Sequence, residues 1–208
     1  MAITHTESKV HWSFFIALEQ DVEVLTRYIE PIQANENTYS LELCRILFAA
    51  ASECEVVLKE LAKQFVPSTN NYNIERLREV ITKNIPEFTA EKIFVRRYGL
   101  ELDPWKNWRS DATPDWWRGY NLVKHERVSH YDQGNLQNAL NAVAALEIAV
   151  VFFYYRALVA RMGQSMTIQQ TLEELSPESR LFYFSANHYP AFLSMGQPAL
   201  KSKHRGLH

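Results

Sequence analysis

The chain has 208 residues, 47% hydrophobic and 22% charged, with a formal charge of −2. That length fits one domain with an appendage, and the balance excludes wholesale disorder. It also excludes a broad basic surface that would hold nucleic acid by charge alone, while six glycines and eight prolines are too few for a loop-rich β sandwich and suit long helices.

The N-terminal stretch lacks the basic and apolar blocks of a signal peptide, so a cytoplasmic protein is expected. A first helix is expected over Ser13–Glu30, with Phe14, Leu18, Val22, Leu25 and Ile29 on one apolar face before Pro31 stops it. After a polar loop, Ser40 reads as the N-cap of a second helix ending near Phe65. Leu43, Leu47, Ala50, Cys54, Val57, Leu61 and Phe65 form its buried stripe. Cys44 and Cys54 lie ten residues apart on that helix, about 15 Å, beyond disulfide reach. They read as buried thiols.

A shorter helix follows over 74–84, with Ile74, Leu77 and Ile81 on one side. Residues 91–102, with Ile93, Phe94, Val95, Leu100 and Leu102 around Gly99, read as a small β-hairpin. Thr113-Pro114-Asp115 reads as a helix start, with Thr as cap and Pro at the first helical position. That helix should run to about Arg127, and a break at 132–134 precedes a long apolar helix over Asn135–Met162. The apolar run 139–160 is long enough to span a membrane, but Asn141, Glu147 and Arg156 interrupt it. A charge near mid-span costs about 2.5–3.5 kcal/mol, so a central bundle helix is the better reading. Gly163 suits a left-handed C-terminal stop, and Thr167-x-x-Gln170 resembles a capping box. Leu181–Phe184 reads as a strand or a docked apolar segment. The expected organisation is all-α: a helical bundle over 1–163 and an appendage over 164–208 packed on it, ending in a frayed basic tail.

The chemistry concentrates on the helix that reads PDWWRGYNLVKHER. Arg118 and His125 are seven residues apart, hence within about 20° of one face, and Asn121 falls between them on the same stripe. Arg offers a planar charged fork for phosphate oxygens. His can remove or deliver a proton near neutrality, and Asn can orient either. With a ribose 2′-hydroxyl as nucleophile, such a set needs no metal and leaves a cyclic phosphate. Lys124 and Arg127 are the candidate substrate-binding cations beside it.

Arg118-x6-His125, on a capped helix before a long apolar one, resembles the R-x4–6-H motif of HEPN domains. These all-helical proteins often act as ribonucleases or toxins. The resemblance spans about residues 13–162 as architecture, with the short motif as its specific part. It implies a homodimeric, metal-independent endoribonuclease acting on RNA and not DNA, in defence or stress, with no cofactor and no membrane. His125 would be the acid/base, Arg118 the phosphate clamp and Asn121 the orienting residue. Two features depart from the family pattern. Gly119 follows the Arg where a polar residue is common, and His125 is followed by Glu126-Arg127 and not by x-Tyr, so control by a nucleotidyltransferase partner is not implied.

Other readings stand beside this one. His125 also reads as a structural helix histidine, Lys124 and Arg127 as a solvated face, and Trp105, Trp108, Trp116 and Trp117 as packing. His125, His130 and Asp132 are close in sequence but lack the i,i+4 spacing of helix-borne metal ligands. No Gly-x-Ser-x-Gly and no glycine-rich phosphate loop occurs. The alternative function is a catalytically silent helical module that binds a partner protein or nucleotide through the Arg118/His125 face.

Overall fold

The computed structural model describes residues 8–67, 72–162 and 166–184, of which 69% are helical with 3-10 turns included. Six α-helices and one small sheet occur among them: α1 (Val10–Leu25), α2 (Leu41–Lys63), α3 (Ile74–Asn84), β1 (Ile93–Val95), β2 (Leu100–Leu102), α4 (Asp115–His130), α5 (Leu136–Met162), α6 (Ile168–Glu174) and β3 (Tyr183–Phe184). The mainly α-helical class and the hairpin agree with expectation. Gly163 and the basic tail lie outside the described residues.

The centre of the fold is α5, which packs most extensively on α2 and also touches α1, α4 and α6. From Ala142 to Phe152 every residue of α5 is buried, so the helix is apolar all round because it is surrounded all round. It is long and apolar enough to cross a membrane by length and composition, yet 61% of its most apolar window is covered by the rest of the chain. Its N-terminus is closed completely. The Leu136 and Gln137 N–H groups donate to Thr38 and Glu36 carbonyls of the preceding loop. Asn135 Oδ1 accepts from Asn138 N at 2.9 Å, and Ala139 N returns to Asn135 O. Asn135 is therefore the cap of this helix and not its first residue.

α2 follows its expected stripe from Leu43 to Leu61, with Ser40 accepting from Leu43 N and Leu43, Leu47, Ala50, Cys54, Val57 and Leu61 all buried, but it ends at Lys63, and Phe65 packs half-buried beyond it. Burial raises the thiols of both Cys44 and Cys54, which are free. Helix α1 differs from expectation. It begins at Val10 and buries Trp12, Phe15, Leu18, Glu19, Val22 and Leu25, while Phe14 stands 39% exposed. The three aromatics at 12, 14 and 15 make two registers plausible. Trp12 packs against Phe15 and donates its indole N–H to the Pro177 carbonyl, which settles which one is used.

The hairpin is part of a three-stranded antiparallel sheet of order β2-β1-β3, with Ile93 opposite both Leu102 and Phe184. The segment before β3 is anchored by a buried acid. The N–H groups of Arg180, Leu181 and Phe182 donate to Glu19 Oε1 at 3.0, 2.8 and 3.1 Å, and the Ser179 hydroxyl lies 2.5 Å from it. Glu147, on α5, is another buried carboxyl, as Glu91 is, and its Oε2 accepts no hydrogen bond among the described residues. Burial pushes its carboxyl well above the usual carboxylate range, and the nearby Glu19 charge adds to this. The capping box at Thr167 and Gln170 is formed, with both reciprocal bonds present.

Candidate functional site

Helix α4 starts one residue later than its sequence signals suggest. Pro114 occupies the cap position, and no side chain caps the helix, so Thr113 does not play that part. What anchors this end is aromatic packing. Trp116 donates its indole N–H to the Pro104 carbonyl at 2.9 Å and stands edge-on to Trp105, itself packed on Trp108 and Phe88. All four tryptophans of 105–117 are buried, which is the packing role. At the other end, Glu126 has φ −134° and ψ 46°, a break inside the helix. The stripe from Arg118 to His125 therefore lies on one regular stretch, while Arg127 lies beyond the break.

Arg118, Asn121 and His125 line one open cleft of about 620 Å³, together with Leu122, Trp117, Thr113 and the start of α3 at Ile74 and Glu75. The spacing argument thus brings its three residues to one surface. His125 is exposed, and its ring makes no hydrogen bond among the described residues. Arg118 is paired with Asp115 one turn earlier, both side chains more than half exposed. Such a pair is worth at most about 1 kcal/mol, so an incoming anion can displace the carboxylate. Asn121 donates to the Trp117 carbonyl at 3.1 Å, which orients its amide with the oxygen left over.

The two further cations do not join the cleft. Lys124 sits over the Tyr120 ring at 5.2 Å, and Arg127 sits over Phe48 of α2 at 5.3 Å. They flank the helix on its α2 side. His125, His130 and Asp132 form no three-ligand cluster, and no group of three His, Cys, Asp or Glu placed to hold a metal occurs among the described residues. His130 instead faces Glu126 at 3.4 Å.

Sequence reasoning missed three features. The first is the role of Gly119. A Cβ there would stand 2.5 Å from Asn138 Nδ2, which is itself tied to the Gln133 carbonyl at 2.9 Å. Glycine at this position lets α4 cross α5 closely, which removes the polar group expected after the Arg. The second is a cleft of about 410 Å³ on the other side of Arg118, between α4, the start of α5 and residues 103–107. Its side chains come from four separate stretches of chain, so no local motif could reveal it. His11 and Glu53, 2.6 Å apart between α1 and α2 and edge-on to Phe153, were also not singled out. They are largely buried and line neither cleft.

No family model, curated protein or solved structure matches this chain.

Proposed function

We propose that the chain is a HEPN-like, metal-independent endoribonuclease that works as a homodimer. The observation that carries this reading is the open cleft shared by Arg118, Asn121 and His125, with the His125 ring unpartnered among the described residues. In the proposed step the ribose 2′-oxygen forms a bond to phosphorus and the P–O5′ bond breaks. Cyclic phosphate and a 5′-hydroxyl result. His125 takes the 2′-hydroxyl proton, and a second His125, brought near by a two-fold axis, returns one to the 5′-oxygen. Arg118 leaves Asp115 and neutralises the charge that builds on the phosphoryl oxygens. Asn121 holds the imidazole or phosphate in line.

Purified protein incubated with single-stranded RNA in EDTA should produce 2′,3′-cyclic phosphate ends, and DNA of the same sequence should survive. Retained cleavage by His125→Ala, or no cleavage by the wild type, would overturn the reading. One observation favours the alternative, a silent binding module. Arg118 already has a carboxylate partner, and Gly119 serves packing instead of carrying a polar group.

A further inference from the structure

The second cleft beside Arg118 has a composition unlike the first. Seven of its fifteen lining residues are asparagine or glutamine. Some of these amides are consumed by the fold: Asn135 caps α5, and Asn138 is held by Gln133. Others are not. The side chains of Asn37, Asn107 and Gln137 line the cleft and make no hydrogen bond among the described residues. Of its four charged residues, Asp103 is engaged by Arg109, Asp115 by Arg118, and Lys106 is left over. Trp116 and Leu122 supply an apolar floor. The α5 N-terminus contributes no free N–H, since loop carbonyls and Asn135 take all of them.

These properties select a ligand class. Free side-chain amides present a donor and an acceptor in one plane and carry no charge, which matches the edge of a nucleobase and not a phosphate. The cleft volume falls within the range of small-molecule sites. Its position matters equally, because Arg118 lines both clefts. A phosphate held on Arg118 has His125 on one side and the amides on the other. We propose that this amide-lined cleft binds the base of a nucleotide flanking the scissile phosphate and so sets sequence preference. The position of that nucleotide rests on the ribonuclease reading, whereas base binding itself does not.

The test uses the full chain, the four 5′-mononucleotides, and ribose 5-phosphate as the probe that lacks a base. Side-chain amide signals of Asn37, Asn107 and Gln137 are followed by NMR during titration. At least one nucleotide should move these signals and bind about tenfold more tightly than ribose 5-phosphate. The double variant Asn107→Ala/Gln137→Ala, altered at an exposed and a half-buried position, should lose about tenfold in that affinity with an unchanged circular dichroism spectrum. Equal binding of ribose 5-phosphate, amide signals that no nucleotide moves, or undiminished affinity in the double variant would each overturn the proposal. In a degenerate RNA pool the wild type should show a base preference next to the cut that the double variant flattens, and an identical pattern in both would also overturn it. If nucleotides bind here with base preference while no RNA is cut, the ribonuclease reading falls and the base-binding cleft stands.

Discussion

The two polar regions of this molecule are built on opposite principles. Around Glu19 in the interior, one carboxylate faces three backbone N–H groups and a hydroxyl, each aimed at it by the segment it anchors. Around α4, polar side chains stand in excess of their partners: His125 has none among the described residues, and Arg118 has only an exposed acid one turn away. An unmatched interior polar group costs about 1–3 kcal/mol, a cost that the Glu19 clasp avoids and Glu147 Oε2 does not. Groups on an open cleft can wait on water for a ligand. Satisfaction therefore marks what the fold needs, and surplus marks where chemistry can be added.

This contrast breaks if changes on α4 unfold the protein or changes at Glu19 leave it intact. The largest effect is expected for His125→Ala, a fall of about 10²–10⁴ in RNA cleavage rate, with stability within about 0.5 kcal/mol of wild type, as for a surface substitution. A melting temperature that drops along with the rate would place His125 among the structural residues. Next comes Glu19→Ala, which strands two buried N–H groups and a part-buried one at once and should cost about 3–5 kcal/mol in urea unfolding. A loss below about 1 kcal/mol would show that the 179–182 segment is held by other contacts. Gly119→Ala lies on the boundary between the two regions. It should cost about 1–3 kcal/mol by pushing Asn138 off the Gln133 carbonyl, and an unchanged melting temperature would mean that α4 and α5 can separate freely.

The most directional effect concerns Glu147, and at any one pH it is spread over the slope. Its folded carboxyl titrates well above the ordinary value of 4.5 because burial disfavours the charge. Below that ordinary value both folded and unfolded states hold the proton, and this group takes nothing from stability. As pH rises toward the folded value, only the unfolded state releases its proton, so stability falls by up to about 1.4 kcal/mol per pH unit. Glu147→Gln should remove this slope and raise stability at neutral pH. Unfolding curves of the variant that stay parallel to wild type from pH 5 to 8 would show that Glu147 is charged inside the fold.

How much of this was legible depended on how local the cause was. The α2 stripe up to Leu61, the α3 bounds and the Thr167 capping box follow from contacts three or four residues apart, and each is found as read. The register of α1 was not legible, because Trp12, Phe14 and Phe15 compete and the choice is made by Pro177 and Phe182, about 165 residues away. Placement of Arg118, Asn121 and His125 in one cleft was legible because it needed only helix geometry. The displacement of Lys124 and Arg127 to the α2 side was not, since it depends on Phe48 and on the break at Glu126. Nor did sequence reveal the second cleft, whose amides meet only once four stretches of chain have converged.

The clasp at Glu19 has a consequence for how the chain comes into being. Glu19 leaves the ribosome about 160 residues before the groups that satisfy it, Ser179 to Phe182. The central strand β1 likewise awaits β3 for its second edge. During synthesis the helices can gather around α2, but a carboxylate in the interior and an open strand edge persist until residues 179–184 arrive. Closure is therefore a late, long-range event that gates the whole. A nascent chain stalled before Ser179 should remain protease-sensitive across α1 and the sheet, however complete its other helices are.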